Sequence, residues 1–169
     1  SELAEAGVVA FSDDGSPVAD EALMRNALQF TAALGLPLSE HSDDPVLNAG
    51  GVVNEGALSE RLGLKGQPPA AEISAIARNI ELCELTGGRL HVAHISTARG
   101  VELVADAKAR GLPVTAEVTP SHLFLTEDAV FGPGPEPAYD TNARITPPLR
   151  TEADRRALLK GVNEGVIDV

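Results

Sequence analysis

Tryptophan is absent from this sequence, tyrosine occurs once, and phenylalanine four times among 169 residues. A packed interior must therefore come from Leu, Val, Ile and Ala, and the length suffices for one domain with a sizeable core. The single cysteine, Cys83, excludes an internal disulfide and suits a reducing, cytoplasmic setting. Within "ELCEL" it reads as a thiol buried on a helix rather than as a nucleophile. Positive charge is scarce: 13 Lys and Arg against 25 Asp and Glu give a formal net charge of −12. Nucleic acid and anionic membranes select for positive patches, so neither is an expected partner. No apolar run approaches the roughly 20 residues of a membrane-spanning helix, and no secretory signal pattern is present. No GxGxxG or Walker glycine pattern follows an apolar stretch, which weakens a nucleotide-binding reading.

What is present is an alternation of short apolar stretches with longer amphipathic ones. "GVVAF" (7–11), "LPLSEH" (36–41), "RLHVAHI" (89–95) and "LPVTAEVT" (112–119) read as strands, and "VIDV" (166–169) as the start of a fifth. Helices are expected at 20–35, 70–88, 98–111 and 151–165. In the first, Asp20 is the expected cap and Gly35 the stop, with Ala22, Leu23, Ala27, Phe30 and Leu34 at helical spacing. The last opens on an S/T-x-x-D/E capping signature. Residues 48–66 read as a long Gly- and Asn-rich loop, a length often associated with function. "FGPGPEPAYD" (131–140) reads as a Pro/Gly-rich loop, and "NARITPPLR" as extended because proline disfavours helix before it. Such strand–helix alternation means a parallel sheet with covering helices, either an open doubly wound sheet or part of an eight-stranded barrel.

The polar residues concentrate at the carboxyl ends of the strands: Asp13 and Asp14, His41, His94, and Glu117 with His122. A barrel with its site on that face would distribute them so. His91 and His94 are three apart, so strand alternation points them to opposite sides, and His94, nearer the strand end and just before a helix-capping "ST", is the better site candidate. Carboxylates and imidazoles converging there suit zinc or a similar divalent ion. Isolated strand-end histidines and Asp pairs are equally the stuff of ordinary hydrogen bonds and turns. On residue chemistry alone the two readings stand level, and the reaction stays unnamed.

The blocks "VAFSDDGSPV", "EHSDDPVL", "GGVVNEGALSERLGL", "LTGGRLHVAHIST", "GLPVTAEVTPSHLFLT", "YDTNARITPPLR" and "EGVIDV" occur in this order along the whole chain. Together they resemble the bacterial class I dihydroorotases of the amidohydrolase superfamily. The resemblance implies a distorted (β/α)8 TIM-like barrel of the metal-dependent hydrolase type. Residues 1–169 would form a partial catalytic barrel domain, strands 4 to 7 with the first residues of strand 8, truncated at both ends. It implies a zinc-dependent hydrolase that interconverts dihydroorotate and N-carbamoyl-aspartate in pyrimidine biosynthesis, with one or two ions per site. By motif position the metal ligands are Asp14, His41 and His94, and His91 becomes a structural or supporting residue. In the family's "N-P-P-L-R" block the Asn contacts substrate; here that position is Thr146, a hydroxyl of shorter reach.

The family's "H-C-E-D" is "HSDD" here, and "T-P-H-H-L" is "TPSHL". The family's "H-x-H-x-R" and the "D-H-A-P-H" block with its general-base Asp are expected before residue 1 and beyond Val169. The segment alone is therefore expected to be inactive. Arg150 is expected in a surface ion pair, with a substrate carboxylate as the alternative partner. The expected partners are a small-molecule substrate, and a further copy of the chain or aspartate transcarbamoylase. The rival readings are a hydantoinase- or allantoinase-type cyclic amidase, and a non-catalytic scaffold subunit of aspartate transcarbamoylase.

Overall fold

The computed structural model describes residues 2–132 and 139–169. After a short α1 (Glu2–Glu5), β1 (Phe11–Ser12) leads into α2 (Glu21–Leu34), and β2 (Pro37–Glu40) follows. The chain continues through α3 (Pro45–Asn48), β3 (Val53–Asn54), α4 (Ala57–Leu62) and β4 (Gly66–Gln67). Then come α5 (Pro69–Thr86), β5 (Arg89–Val92), α6 (Ala98–Ala109) and β6 (Val114–Ala116). Past α7 (Pro120–Phe124) and two short 3-10 helices (Glu127–Phe131 and Thr141–Ala143), α8 (Glu152–Asn163) is the last helix.

The helix boundaries follow local chemistry. Asp20 accepts the Leu23 amide at 2.7 Å to start α2, and Gly35, at φ +69°, stops it. Thr97 caps α6, and Thr151 with Asp154 forms a reciprocal capping box on α8.

β1, β2, β5 and β6 form one parallel sheet in that order, in register Phe11–Leu38, Leu38–Leu90 and Leu90–Val114. The order runs one way without reversal. Right-handed crossovers then place every connecting helix on the same face, and α2, α5, α6 and α8 do pack side by side in sequence. A doubly wound sheet needs a switch of direction and covers both faces. This arrangement is a sector of a parallel (β/α) barrel.

Alternation along the strands sends Leu38, Leu90, Val92, Val114 and Ala116 into the helix layer, against Met24, Leu28, Ile76, Ile80, Val104 and Leu158. The other face carries Ser12, Ser39, His91 and Thr115 in one row across the four strands. Among the described residues, no helix is long and apolar enough to cross a membrane.

Three expectations are corrected. The buried side of α2 is Met24, Leu28 and Thr31, while Leu23 and Phe30 are 57% and 50% exposed. This helix is apolar over much of its circumference, so spacing alone does not select the face. Contact with the strands does. Residues 48–66 are not a plain loop: β3 and β4 pair in parallel around α4, and Val53, Leu58, Val130, Ala143 and Leu149 form a second small core. Two-residue strands are too short to show a periodicity.

Residues 166–169 run beside β6 without becoming a regular strand. Asp168 N–H donates to the Ala116 carbonyl at 2.8 Å, but the Asp168 carboxylate takes the Ala116 amide that a ladder would give to a backbone carbonyl. The loop expected at 131–140 lies, for 133–138, outside the described residues.

The small unit closes tightly. A Cβ on Gly66 would sit 2.5 Å from Glu55 Cα, a backbone atom with little freedom to retreat. Gly66→Ala in the full-length protein is expected to lower stability by about 1–3 kcal/mol. An unchanged urea midpoint would contradict that packing.

Candidate metal centre

Three strand ends build the site. At the end of β1, Asp13 faces inward and acts on the backbone. Its carboxylate accepts the His41 amide at 2.8 Å and the Val18 amide at 2.9 Å, tying the β1–α2 turn to the end of β2. Asp14, the next residue, is thereby turned outward, its side chain 64% exposed.

His41 follows β2 directly and is buried. His94 lies two residues past the end of β5, in left-handed backbone at φ +35°. For a residue other than glycine that conformation costs about 1–3 kcal/mol and persists only where its surroundings impose it. Strand alternation therefore does not reach His94; the turn aims its ring.

The result is a compact group. His41 Nδ1 and His94 Nε2 are 3.0 Å apart, and Asp14 Oδ1 lies 3.2 Å from the latter and 3.6 Å from the former. The two rings meet edge to face at 74°. His94 holds the Asp14 carboxyl below its ordinary range by hydrogen bonding and by charge, with His41 adding to the effect. Burial, then His94, pushes His41 down, which favours its neutral ring.

Two imidazole nitrogens and a carboxylate oxygen aimed at one point repel unless a proton or a cation lies among them. A tetrahedral ion at 2.0–2.1 Å from its ligands sets neighbouring ligand atoms about 3.4 Å apart, a value the three separations bracket. Neutral imidazole and ionised carboxylate are also the protonation states that ligation requires. The donor set fits a divalent ion.

The remaining candidates go elsewhere. His91 sits in the polar row of the uncovered face, 2.8 Å from Thr115 Oγ1 and 3.5 Å from Glu117, so Glu117 serves His91 and not the cluster. His122 is buried: its Nε2 donates to the Pro147 carbonyl at 3.1 Å and its Nδ1 faces the Thr119 hydroxyl at 2.7 Å. Burial lowers its pKa, consistent with a neutral ring. Cys83 is fully buried and its thiol points at the Gly88 carbonyl, with burial pushing its pKa up. Thr146 is exposed, four residues before Arg150.

The surface ion pair expected of Arg150 is corrected: the residue is 3% exposed. Its Nε donates to Ser96 Oγ at 3.1 Å, and its Nη1 donates to Asn54 Oδ1 and to the Gln67 carbonyl, each at 2.8 Å. Asn54 belongs to β3, inside the stretch 48–66 that reads as a loop, and Gln67 ends β4, one residue past it.

A second group that strand-end reasoning does not find is Glu72 on α5. Its carboxylate accepts the Ser96 and Thr97 amides at 3.1 and 2.9 Å, the Thr97 hydroxyl at 2.7 Å, and the Ser96 hydroxyl. A signal for it exists. Glu72 shares the buried side of α5 with Ala75, Ile76, Asn79, Ile80 and Cys83, and a charge on an apolar helix face is a buried charge that needs partners.

The chain matches the dihydro-orotase-like family over residues 1–100. It is 55% identical over 168 residues to a dihydroorotase of Carboxydothermus hydrogenoformans and 51% identical to one of Pelotomaculum thermopropionicum. Each match takes in 99% of this chain and 38% of the relative, so the chain spans under two fifths of the length of those proteins. Among solved structures, a D-hydantoinase superimposes with a TM-score of 0.78 at 26% identity. The L-hydantoinase (dihydropyrimidinase) of Arthrobacter aurescens does so with 0.77 at 26%. Each of these matches covers 99% of this chain and 38% of that structure.

The Asp13 clamp is testable apart from any ligand. Asp13→Ala strands two backbone amides, and the expected loss of stability in urea unfolding of the full-length protein is about 1–3 kcal/mol. A wild-type midpoint would show that the clamp contributes nothing.

Proposed function

The chain belongs to the dihydro-orotase-like family, and from that premise we propose that it forms the metal-holding part of a cyclic-amide hydrolase, a dihydroorotase of pyrimidine biosynthesis. The observation that carries the proposal is the convergence of Asp14, His41 and His94 on one point. In this reading the three residues hold zinc, as one or two ions. Residues 1–169 are the corresponding part of a catalytic barrel domain.

When bound, zinc supplies Lewis acidity and a nucleophile derived from water at neutral pH. The chain's own residues do the rest of what falls to this segment. The ring nitrogens of His41 and His94 face that point, burial favouring the neutral ring of His41, and ionised Asp14 adds negative charge on the exposed side. Asp13 holds the first two strand ends in register. Thr146 offers its hydroxyl to the substrate from a segment whose Pro147 carbonyl is tied down by His122.

A second reading is favoured by the hydantoinase-type solved structures: hydrolysis of a hydantoin-type ring by the same machinery. Assay of the full-length protein on dihydroorotate and on hydantoin separates the two.

Purified with zinc available, the full-length protein is expected to hold the metal and to open dihydroorotate. Asp14→Ala, His41→Ala and His94→Ala are each expected to weaken metal binding by more than about 100-fold, beyond what loss of a supporting residue does, and activity should fall in parallel. Retention of metal by all three variants would sink the proposal. Activity on hydantoin but not dihydroorotate would establish the second reading.

A further inference from the structure

The turn that carries His94 is held amide by amide. Ala93 N–H donates to the Glu40 carbonyl at 3.1 Å and Ile95 N–H to the Glu117 carbonyl at 2.9 Å, so the neighbouring strand ends β2 and β6 fix it from both sides. The next two amides, Ser96 and Thr97, have no strand to bond. They donate to the buried carboxylate of Glu72, which also takes both hydroxyls. The left-handed conformation at His94 is thus imposed by two strands on one side and by one acidic side chain on the other.

A buried carboxylate needs compensating charge, and removal of one partner from such a pair leaves the other uncompensated. The compensating group is Arg150. Its Nε donates to the same Ser96 hydroxyl that donates to Glu72, so the guanidinium, the hydroxyl and the carboxylate form one chain of hydrogen bonds. The other arm of Arg150 grips Asn54 and the Gln67 carbonyl in the small β3–β4 unit. Asp43 and Glu127, which accept from Gln67 and Asn54 respectively, add negative charge around it, as does Asp154. Its Nη2 is buried with no partner among the described residues. Arg150 therefore joins the turn behind His94 to the unit formed by residues 51–67.

We propose that Arg150 is a positioning residue: through Ser96 and Glu72 it sets the turn that aims His94 Nε2 at His41 Nδ1 and Asp14. The proposal rests on the reading of His94 as a metal ligand for its functional meaning, though not for its geometry. The fork of Arg150 has two arms in use, one on the turn and one on the small unit. Lysine offers a point charge that satisfies only part of this pattern.

The test uses the full-length protein and its Arg150→Met, Arg150→Lys and Ser96→Ala variants. Cobalt(II) binding is followed by visible absorption and by competition with a chromophoric chelator, and backbone amide exchange is measured on the metal-free proteins. Arg150→Met is expected to bind cobalt about 10–100-fold more weakly, as loss of a supporting residue typically does. Its ligand-field bands should shift, and Arg150→Lys should recover part of the affinity.

In the metal-free protein, exchange at the Ser96 and Thr97 amides is expected to quicken about tenfold, the net worth of one hydrogen bond, while Leu90 in β5 keeps its wild-type rate. Cobalt affinity within twofold of wild type, or unchanged exchange at Ser96 and Thr97, overturns the proposal. Should Arg150→Met fail to fold, Ser96→Ala removes the hydroxyl that joins Arg150 to Glu72 and leaves the other three donors to Glu72 in place. A severalfold loss of affinity with faster Thr97 exchange supports the proposal, and wild-type values refute it. A wild-type protein that binds no cobalt defeats the metal reading instead, and the exchange data still decide the positioning role.

Discussion

Everything at the candidate site depends on three parallel strand ends standing level. The register that sets Leu38 beside Leu90 also brings the ends of β1, β2 and β5 to one edge of the sheet. Asp13 reinforces that register with a side chain, taking the amide of His41 from across the strand boundary. Only then can Asp14, His41 and His94, up to 80 positions apart in sequence, place ligand atoms 3.0–3.6 Å from one another. The one-way strand order matters for the same reason. It keeps the helices on one face and leaves the carboxyl edge to turns.

The chemistry of burial differs between the two ends of this segment. Along the strands the contact with the helices is aliphatic, as the scarcity of aromatics requires, and it needs no polar partners. At the strand ends and on the elements that abut them, Glu40, Glu72, Asp43, Asn54, Gln67, Asn79, Ser96 and Arg150 are all buried. Each makes hydrogen bonds to others of that set or to nearby backbone. Buried Glu40, bonded to Ser42 and Asn79, has its pKa pushed up to about 7, burial being the main cause. A polar shell of this kind is fully effective only when its members are satisfied, and it lies directly behind the residues that converge.

Much of this was legible in the sequence, for reasons that are local. Asp20, Gly35, Thr97 and Thr151 act on amides or dihedrals within a few residues of themselves, so their patterns predict the helix ends. The parallel class follows from alternation, and the site candidates follow from asking which polar residues end an apolar strand. Strand alternation accounts for His91 alone, because β5 stops at Val92 and a left-handed turn aims His94. What stayed hidden is what distant contacts decide. Leu23 and Phe30 share helical spacing yet face outward. The two-residue strands β3 and β4 have no period to detect. Arg150 looks like a surface cation until Asn54 and Gln67 are brought to it. Glu72 goes unmarked by the strand-end pattern: it is a charge among apolar neighbours whose four donors come from a turn more than twenty positions away.

The central claim is that Asp14, His41 and His94 are ligands of one ion. The most direct measurement is a crystal structure of the zinc-loaded full-length protein with anomalous data at the zinc edge. The account expects a peak among the three residues, about 2.0–2.2 Å from His41 Nδ1, His94 Nε2 and an Asp14 carboxylate oxygen. Zinc bound elsewhere, with these three side chains left as a hydrogen-bonded cluster, would contradict it.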